Sequence, residues 1–194
     1  PSAAEALQRR IERRAREEHY PTEVSGFIRL ELLADGSERL LPAGISYYDG
    51  YGYRSVQPAA VALRYDLPLT EAPTSVHEAA TLLARRAAER QGAEAAIRCD
   101  AEGHFREAEG APLFAIAGRT VLEAPGPESV ERSITREAVR RAGMELRKEE
   151  FGLGNLSRIE ELFFTDHRGI TSLSHCNGVP LMTFLAERIA AALE

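Results

Sequence analysis

The sequence predicts an α+β fold with two lobes, a small N-terminal one and a larger C-terminal one. Segments in which apolar and polar residues alternate, as they do in strands, recur along the 194 residues. Segments with helical apolar spacing lie between them, without the strict strand–helix alternation of a parallel α/β sheet. The composition, 44% hydrophobic and 28% charged, is that of a globular chain that buries a core.

The N-terminal lobe is predicted to comprise residues 1–65 and to begin with a helix. Over residues 3–19, apolar side chains recur every four positions and form one face, at Leu7, Ile11 and Ala15. The other sides of this segment are rich in Arg and Glu, which is typical of a solvated surface. We therefore expect an amphipathic helix at the surface.

A hairpin of two strands is predicted next. Three apolar residues alternate with charged ones and predict a half-buried strand, namely Ile28, Leu30 and Leu32. Asp35 and Gly36 then form a dipeptide typical of hairpin turns, and a second strand follows it.

The end of the N-terminal lobe is marked by a tyrosine cluster and a linker. Four of the six tyrosines lie within residues 47–53, where they either line a ligand cleft or pack in an interface. A short strand is predicted at residues 61–65. Residues 66–74 contain two prolines and no apolar periodicity, which predicts a linker between the lobes.

The C-terminal lobe is predicted to comprise residues 75–194 and to begin with a capped helix. Ser75 followed by Glu78 has the spacing of a capping box, in which each side chain binds a backbone amide at the start of the helix. Gly92 is placed to end this helix in a left-handed conformation.

The remaining elements of the C-terminal lobe follow from the same patterns. Strands are predicted at residues 94–100, 104–108, 112–118, 144–151, 161–166 and 169–176. Helices are predicted at residues 130–143, 157–161 and 180–194. Asn177-Gly178 predicts a tight turn before the last helix.

Composition and charge exclude several classes of function. The net charge of −6, with both signs mixed along the chain, argues against a nucleic-acid partner, which needs a basic surface. No apolar run approaches the roughly 20 residues of a membrane-spanning helix, so we expect no membrane partner. Two cysteines do not form a disulfide framework, and a cytoplasmic location is therefore expected. The scattered histidines predict no metal site.

Several motifs in the second half of the chain resemble those of a known family. Six motifs occur in the family's order and at compatible spacings. They are LLARRAAERQGAEAAI, a strand ending in Glu107, PLFAIAGRTVLEAP, SITREAV, EELFFTD and ITSLSHCNG. Together they resemble the fold-type IV, or class IV, aminotransferases, which include branched-chain and D-amino acid aminotransferases and aminodeoxychorismate lyases. The resemblance covers about residues 26–194. It implies a D-amino acid aminotransferase-like fold, a homodimer, pyridoxal 5′-phosphate as cofactor, and an amino acid or keto acid ligand.

Two cofactor-binding features of this family match positions in the sequence. The acidic residue that pairs with the pyridine nitrogen corresponds to Glu107. The Gly-Ile-Thr-Arg turn, which holds the cofactor phosphate at a helix N-terminus, corresponds to residues 133–136, so the resemblance places the phosphate at Ile134 and Thr135.

Other family features are replaced in this sequence. Thr74 occupies the position of the lysine that forms the aldimine, and Asp166 that of a phosphate-binding Thr or Ser. The only lysine among the 24 basic residues is Lys148, in a charged segment expected to be an exposed edge strand. The family's N-terminal hairpin and helix, with a phosphate-binding arginine, have no counterpart before Pro1, and we expect a truncated small lobe.

The segment Asp166-His167-Arg168 at a strand end predicts a ligand pocket. An acid, an imidazole and a guanidinium together suit a carboxylate ligand, because Arg matches carboxylate geometry. A loop whose charges are simply solvated is an equally good interpretation. Arg29 is a further pocket candidate, although pairing with Glu31 or with solvent also explains its position on a polar strand face.

Two functional hypotheses remain open at this point, and neither assigns a catalytic residue. The chain is related to pyridoxal-phosphate enzymes acting on amino acids, with a degenerate cofactor site. Alternatively, it is a non-catalytic relative that binds a small carboxylate or a protein without the cofactor. A hydrolase built on Asp166 and His167 rests only on their adjacency.

Overall fold

The computed structural model of the chain describes residues 3–21, 25–46, 51–70 and 74–193. It consists of two compact units, residues 1–49 and 50–194. Two of the four tyrosines in the predicted cluster, Tyr47 and Tyr48, lie outside the described residues.

The fold is α+β, as predicted, and its elements follow the chain in order. The helices are α1 (Ala4–Glu17), α2 (Ser75–Arg90), α3 (Val130–Arg141) and α4 (Glu187–Ala191). The strands of the first half are β1 (Ser25–Leu32), β2 (Glu38–Ser46), β3 (Gly52–Tyr53), β4 (Ala59–Arg64) and β5 (Ala95–Cys99). Those of the second half are β6 (Phe105–Ala108), β7 (Ala111–Ala117), β8 (Thr120–Glu123), β9 (Glu145–Lys148), β10 (Glu161–Asp166), β11 (Gly169–Leu173), β12 (His175–Cys176) and β13 (Val179–Pro180). No helix among the described residues is long and apolar enough to cross a membrane.

The first unit is a two-stranded antiparallel sheet with one helix. β1 pairs with β2 along its whole length, and α1 contributes no buried residue. The predicted inward alternation of β1 is not observed, because Leu30 is 38% and Leu32 62% exposed. Two strands and one helix are too few to enclose both faces of such a hairpin.

The second unit is built on one sheet of eleven strands. Its main path runs β13-β12-β4-β5-β6-β7-β10-β11-β3, and β8 and β9 extend it from β7. β4 pairs in parallel with β5, from Ala60 opposite Ala95 to Arg64 opposite Cys99. The boundary between the units therefore lies before the predicted linker at residues 66–74, since this pairing attaches β4 to the larger sheet.

Three buried clusters pack on this sheet, and the two larger ones lie on its two faces. One contains Phe105, Leu113 and Leu162, and the other packs against α3 and α4 through Phe114 and Phe163. The rings of the last two are stacked with centroids 5.3 Å apart. Both cysteines of the chain are free and buried.

The helix ends at Gly92 and Gly143 agree with the sequence patterns, since both glycines have positive φ. The predicted capping box at Ser75 is wrong, because Thr74 and not Ser75 is the N-cap residue of this helix. The predicted helix at residues 157–161 is instead a 3₁₀ helix at Leu153–Arg158, and Glu161 begins β10.

The C-terminal helix is much shorter than the predicted 180–194, and Glu161 provides the reason. Its buried carboxylate accepts hydrogen bonds from the amides of Phe184, Leu185 and Ala186, at 2.6–3.2 Å. These amides bind a side chain from β10 instead of helical carbonyls, and α4 begins only at Glu187. Burial raises the pKa of Glu161, although its hydrogen bonds oppose that shift.

Candidate functional site

The turn between β10 and β11 holds three of the predicted pocket residues. Asp166 lies opposite Gly169, and the two residues between them form the turn. Asp166 Oδ1 accepts the amide of Arg168 at 2.8 Å, and Asp166 Oδ2 accepts Nη2 of the same residue at 2.8 Å. The acid and the guanidinium are therefore paired, while His167 is exposed in the turn.

A surface depression of about 330 Å³ lies beside this turn, with Asp166, Arg168, Phe164 and Thr171 in its wall. Thr171 is only 2% exposed, and its Oγ1 has no hydrogen-bond partner among the described residues. Buried hydroxyls are nearly always hydrogen-bonded, so this unpaired group is an exception in the wall of the depression.

Three arginines, Arg54, Arg85 and Arg168, and three carboxylates, Glu94, Glu109 and Asp166, line this depression. Arg54 lines it and has no carboxylate partner within the described part of the chain. Arg85, also in the wall, is neutralised by Glu109, which accepts its Nε at 2.6 Å. Arg54, Arg168 and the Thr171 hydroxyl therefore line the same depression.

Glu107, the predicted partner of the pyridine nitrogen, is paired with Arg98. The two residues lie opposite each other on β6 and β5, with Arg98 Nε 3.1 Å from Glu107 Oε1. Both side chains are largely buried. Tyr65 is close by, and burial, aided by the Glu107 charge, raises its pKa to about 12.

Ile134 and Thr135, the predicted phosphate-binding residues, lie in the second turn of α3. The helix starts at Val130, so its free amides precede these two residues. Thr135 is fully buried and donates from Oγ1 to the carbonyl of Glu131 at 2.7 Å. The hydroxyl of Tyr51 is 3.3 Å from the same Oγ1.

The start of α3 is fixed by a buried ion-pair network. Arg132 donates from Nη1 to Glu123 Oε1 at 2.7 Å and to the Ala124 carbonyl at 2.8 Å. Arg136 binds both Glu123 and Glu128. Burial alone would raise the pKa of Glu123, but hydrogen bonds from Arg136 and Arg132 hold it below its usual value.

Lys148, the only side-chain amine in the sequence, is at the outer edge of this network. It lies on β9, is 63% exposed, and its Nζ is 3.4 Å from Glu128 Oε1. Thr74, which the sequence resemblance aligns with the family lysine, is the N-cap of α2. Arg29, the remaining pocket candidate, is exposed on β1 of the first unit.

One further group of ligand-type side chains lies apart from these residues. Asp100, His104 and Glu150 have oxygen and nitrogen atoms within 4.8 Å of one another. Arg106 binds Asp100 at 2.5 Å and Glu150 at 3.0 Å. The two carboxylates therefore already have a cationic partner in the structure.

Sequence reasoning missed several residues of these sites. Arg54, Arg98 and Thr171 are isolated in the sequence, and no local motif distinguishes them from surface or strand residues. Tyr51 belongs to the tyrosine cluster, which indicated an aromatic wall or an interface without identifying Thr135 as its partner. For Glu161, the one local indication of a special role was a charged residue at the start of the otherwise apolar EELFFTD strand.

Comparison with protein families and solved structures gives a consistent result. The model of the family "Amino-transferase class IV" matches residues 40–168, more than half of the chain. No curated protein matches the sequence significantly. Among solved structures, the PLP-bound form of a hypothetical aminotransferase from Mycobacterium tuberculosis is similar, with a TM-score of 0.76 and 16% identity. That alignment covers 100% of this chain and 76% of the other.

Two other alignments illustrate the range of the structural similarity. The branched-chain aminotransferase from Thermoproteus uzoniensis with norvaline gives a TM-score of 0.73 at 19% identity, covering 98% of this chain and 70% of that one. The apo form of the M. tuberculosis protein gives 0.58 at 16% identity, covering 70% of this chain, which spans only 55% of its length. At these identities the structural similarity establishes the fold alone.

Proposed function

Because the chain belongs to the class IV aminotransferase family, we propose that it is a relative of the pyridoxal-phosphate enzymes that forms no aldimine. We propose further that its second unit binds a small carboxylate, such as a keto acid or an amino acid, in the depression beside the β10–β11 turn.

The pairing of Glu107 with Arg98 is the observation that carries the first part of this proposal. When bound, pyridoxal phosphate acts as an electron sink whose protonated ring nitrogen needs a carboxylate partner. A guanidinium 3.1 Å from Glu107 is already its ion-pair partner and repels a second cation placed beside it. The pair therefore supports a site that does not receive the pyridine ring in the family's manner.

The lysine content supports the same conclusion. Thr74 has a hydroxyl, which cannot form an imine, at the position that the resemblance assigns to the lysine. Lys148 is exposed on β9 and ion-paired with Glu128. An amine on an exposed strand is not held against a bound cofactor in the fixed geometry that aldimine chemistry in an enzyme needs.

Absorption spectroscopy tests this part of the proposal. Incubation of the purified protein with pyridoxal phosphate is expected to produce no saturable visible band of a protonated imine. Lys148→Ala is the matched control, because it removes the only side-chain amine. A saturable wild-type band that is lost in Lys148→Ala would contradict the proposal.

The carboxylate site rests on Arg54 and Thr171. Arg54, with no carboxylate partner among the described residues, and the buried Thr171 hydroxyl, also without a partner there, line the same depression as Arg168. A carboxylate accepts hydrogen bonds from both kinds of donor, and Arg binds it in a bidentate manner. Asp166 remains paired with Arg168, which leaves Arg54 as the principal cation for the ligand.

Calorimetric titration with pyruvate, 2-oxoglutarate and L-glutamate tests this site. Arg54→Ala is expected to weaken binding about 10- to 100-fold, because a hydrogen-bonded charge pair contributes about 1.5–3 kcal/mol. Arg86→Ala, on the exposed side of α2 and paired with Glu89, should leave affinity unchanged. Equal affinities of Arg54→Ala and wild type for every ligand that binds would place the site elsewhere.

A homodimer and a cytoplasmic location complete the proposal. The first follows from the family resemblance and the second from two buried, free cysteines. Sedimentation velocity at micromolar concentration measures the oligomeric state directly.

A further inference from the structure

Tyr51 lies at the place where the family resemblance puts the cofactor phosphate. Its ring packs against the buried cluster under α3, and its hydroxyl is 3.3 Å from Thr135 Oγ1. The buried hydroxyl of Thr165, at the end of β10, lies beside the same phenol. The phenol thus occupies the space between the second turn of α3 and the end of β10.

The directions of the hydrogen bonds at this place are fixed. A threonine hydroxyl has one proton, and that of Thr135 is donated to the Glu131 carbonyl at 2.7 Å. Thr135 Oγ1 therefore accepts from Tyr51, whose hydroxyl must be the donor. The position accordingly offers an acceptor, which suits a phenol O–H and does not suit a phosphate oxygen.

The surroundings are also unfavourable to an anion. The charges of Glu131 and Asp166 both act on the Tyr51 hydroxyl, and both favour its neutral form. The amide of Ser133 is bonded to the Ser129 carbonyl at 3.2 Å, and the next two amides lie inside α3. Burial raises the pKa of Tyr51, in agreement with a neutral phenol at this place.

We infer that Tyr51 is a specificity-determining residue, whose phenol fills the phosphate end of the ancestral cofactor site and excludes phosphorylated ligands. The exclusion is steric, because the ring and hydroxyl take the space. It is also electrostatic, because Thr135 Oγ1 presents an acceptor and the charges of Glu131 and Asp166 act on the same place, where the Thr165 hydroxyl is the one neighbouring side-chain group still able to donate among the described residues. This inference goes beyond the proposed carboxylate site and does not depend on Arg54 or Thr171.

A pair of ligands that differ only in the phosphate tests the inference. 4-Deoxypyridoxine 5′-phosphate and 4-deoxypyridoxine have the pyridine ring without an aldehyde, so neither forms an imine with any amine. Calorimetry with wild-type protein should show no preference for the phosphorylated ligand. In Tyr51→Gly, which opens the space beside the Thr165 hydroxyl, a buried group with no hydrogen-bond partner among the described residues, we expect a preference of at least about 10-fold, or about 1.4 kcal/mol.

Tyr51→Phe is the matched control, because it keeps the ring and removes only the hydroxyl. It should show no preference, as the ring still fills the space. Tyr51→Gly/Asp166→Ser removes a carboxylate as well and should show a larger preference than Tyr51→Gly. Circular dichroism and thermal unfolding confirm that each variant is folded.

Two outcomes would overturn the inference. One is a preference of 10-fold or more for the phosphorylated ligand in the wild-type protein. This result can be obtained even if no variant folds. The other is the absence of any preference in folded Tyr51→Gly and in the double variant. Neither outcome bears on the imine test, because these ligands have no aldehyde.

Discussion

Glu161→Ala is expected to lower the free energy of unfolding of the second unit by about 3 kcal/mol. The Glu161 carboxylate is fully buried and accepts three backbone amides and the hydroxyl of Ser172. Its removal leaves at least the buried Ser172 hydroxyl and the buried Ala186 amide without an acceptor, at about 1–3 kcal/mol each. Relief of the desolvated charge offsets part of this loss.

Urea denaturation followed by circular dichroism measures the Glu161→Ala effect. Glu160→Ala is the matched control, since Glu160 is the exposed neighbour and accepts only the amide of Gly118. It should cost less than about 1 kcal/mol. Equal losses in the two variants would show that Glu161 does not hold the segment before α4.

Glu123→Ala is expected to cost about 4 kcal/mol, because it leaves a buried guanidinium without its carboxylate. Glu123 is 2% and Arg132 3% exposed, and Arg132 donates to Glu123 and to the Ala124 carbonyl. Removal of one member of a buried ion pair typically costs about 3–5 kcal/mol. Arg136 also loses an ion-pair partner in this variant, but it keeps its other one, Glu128.

The double variant Glu123→Leu/Arg132→Met distinguishes the cost of an unpaired buried charge from the cost of lost side-chain packing. Replacement of a whole buried pair by apolar residues is often neutral, so its stability should lie within about 1 kcal/mol of wild type. A double-mutant cycle in urea gives the coupling energy. If the double variant is at least as unstable as Glu123→Ala, packing around the network matters more than its charges.

The sequence was sufficient for elements whose signals are local. Gly92 and Gly143 end two helices because a left-handed residue follows the last turn, and that preference is a property of the residue itself. β10 and β11 were predicted with their observed starts because their apolar runs are bounded by turn residues. The family resemblance, based on motifs along the whole second half, agrees with the matched family model.

The sequence was insufficient where a distant side chain decides the local structure. Residues 181–186 have a helical apolar pattern, but Glu161, more than 20 positions earlier, binds three of their amides. A two-stranded unit left Leu30 and Leu32 exposed although their alternation predicts burial. The contact of Tyr51 with Thr135 spans 84 positions, and no spacing rule relates the two residues.

The position of Lys148 makes the protein suitable for selective chemical labelling. An amine-reactive dye has a single side-chain target in the sequence, and that target is 63% exposed at the edge strand β9. The neighbouring Glu128 is also bound by Arg136 of α3. A fluorophore at Lys148 would therefore stand beside the first turns of α3 and report their local opening without an engineered cysteine.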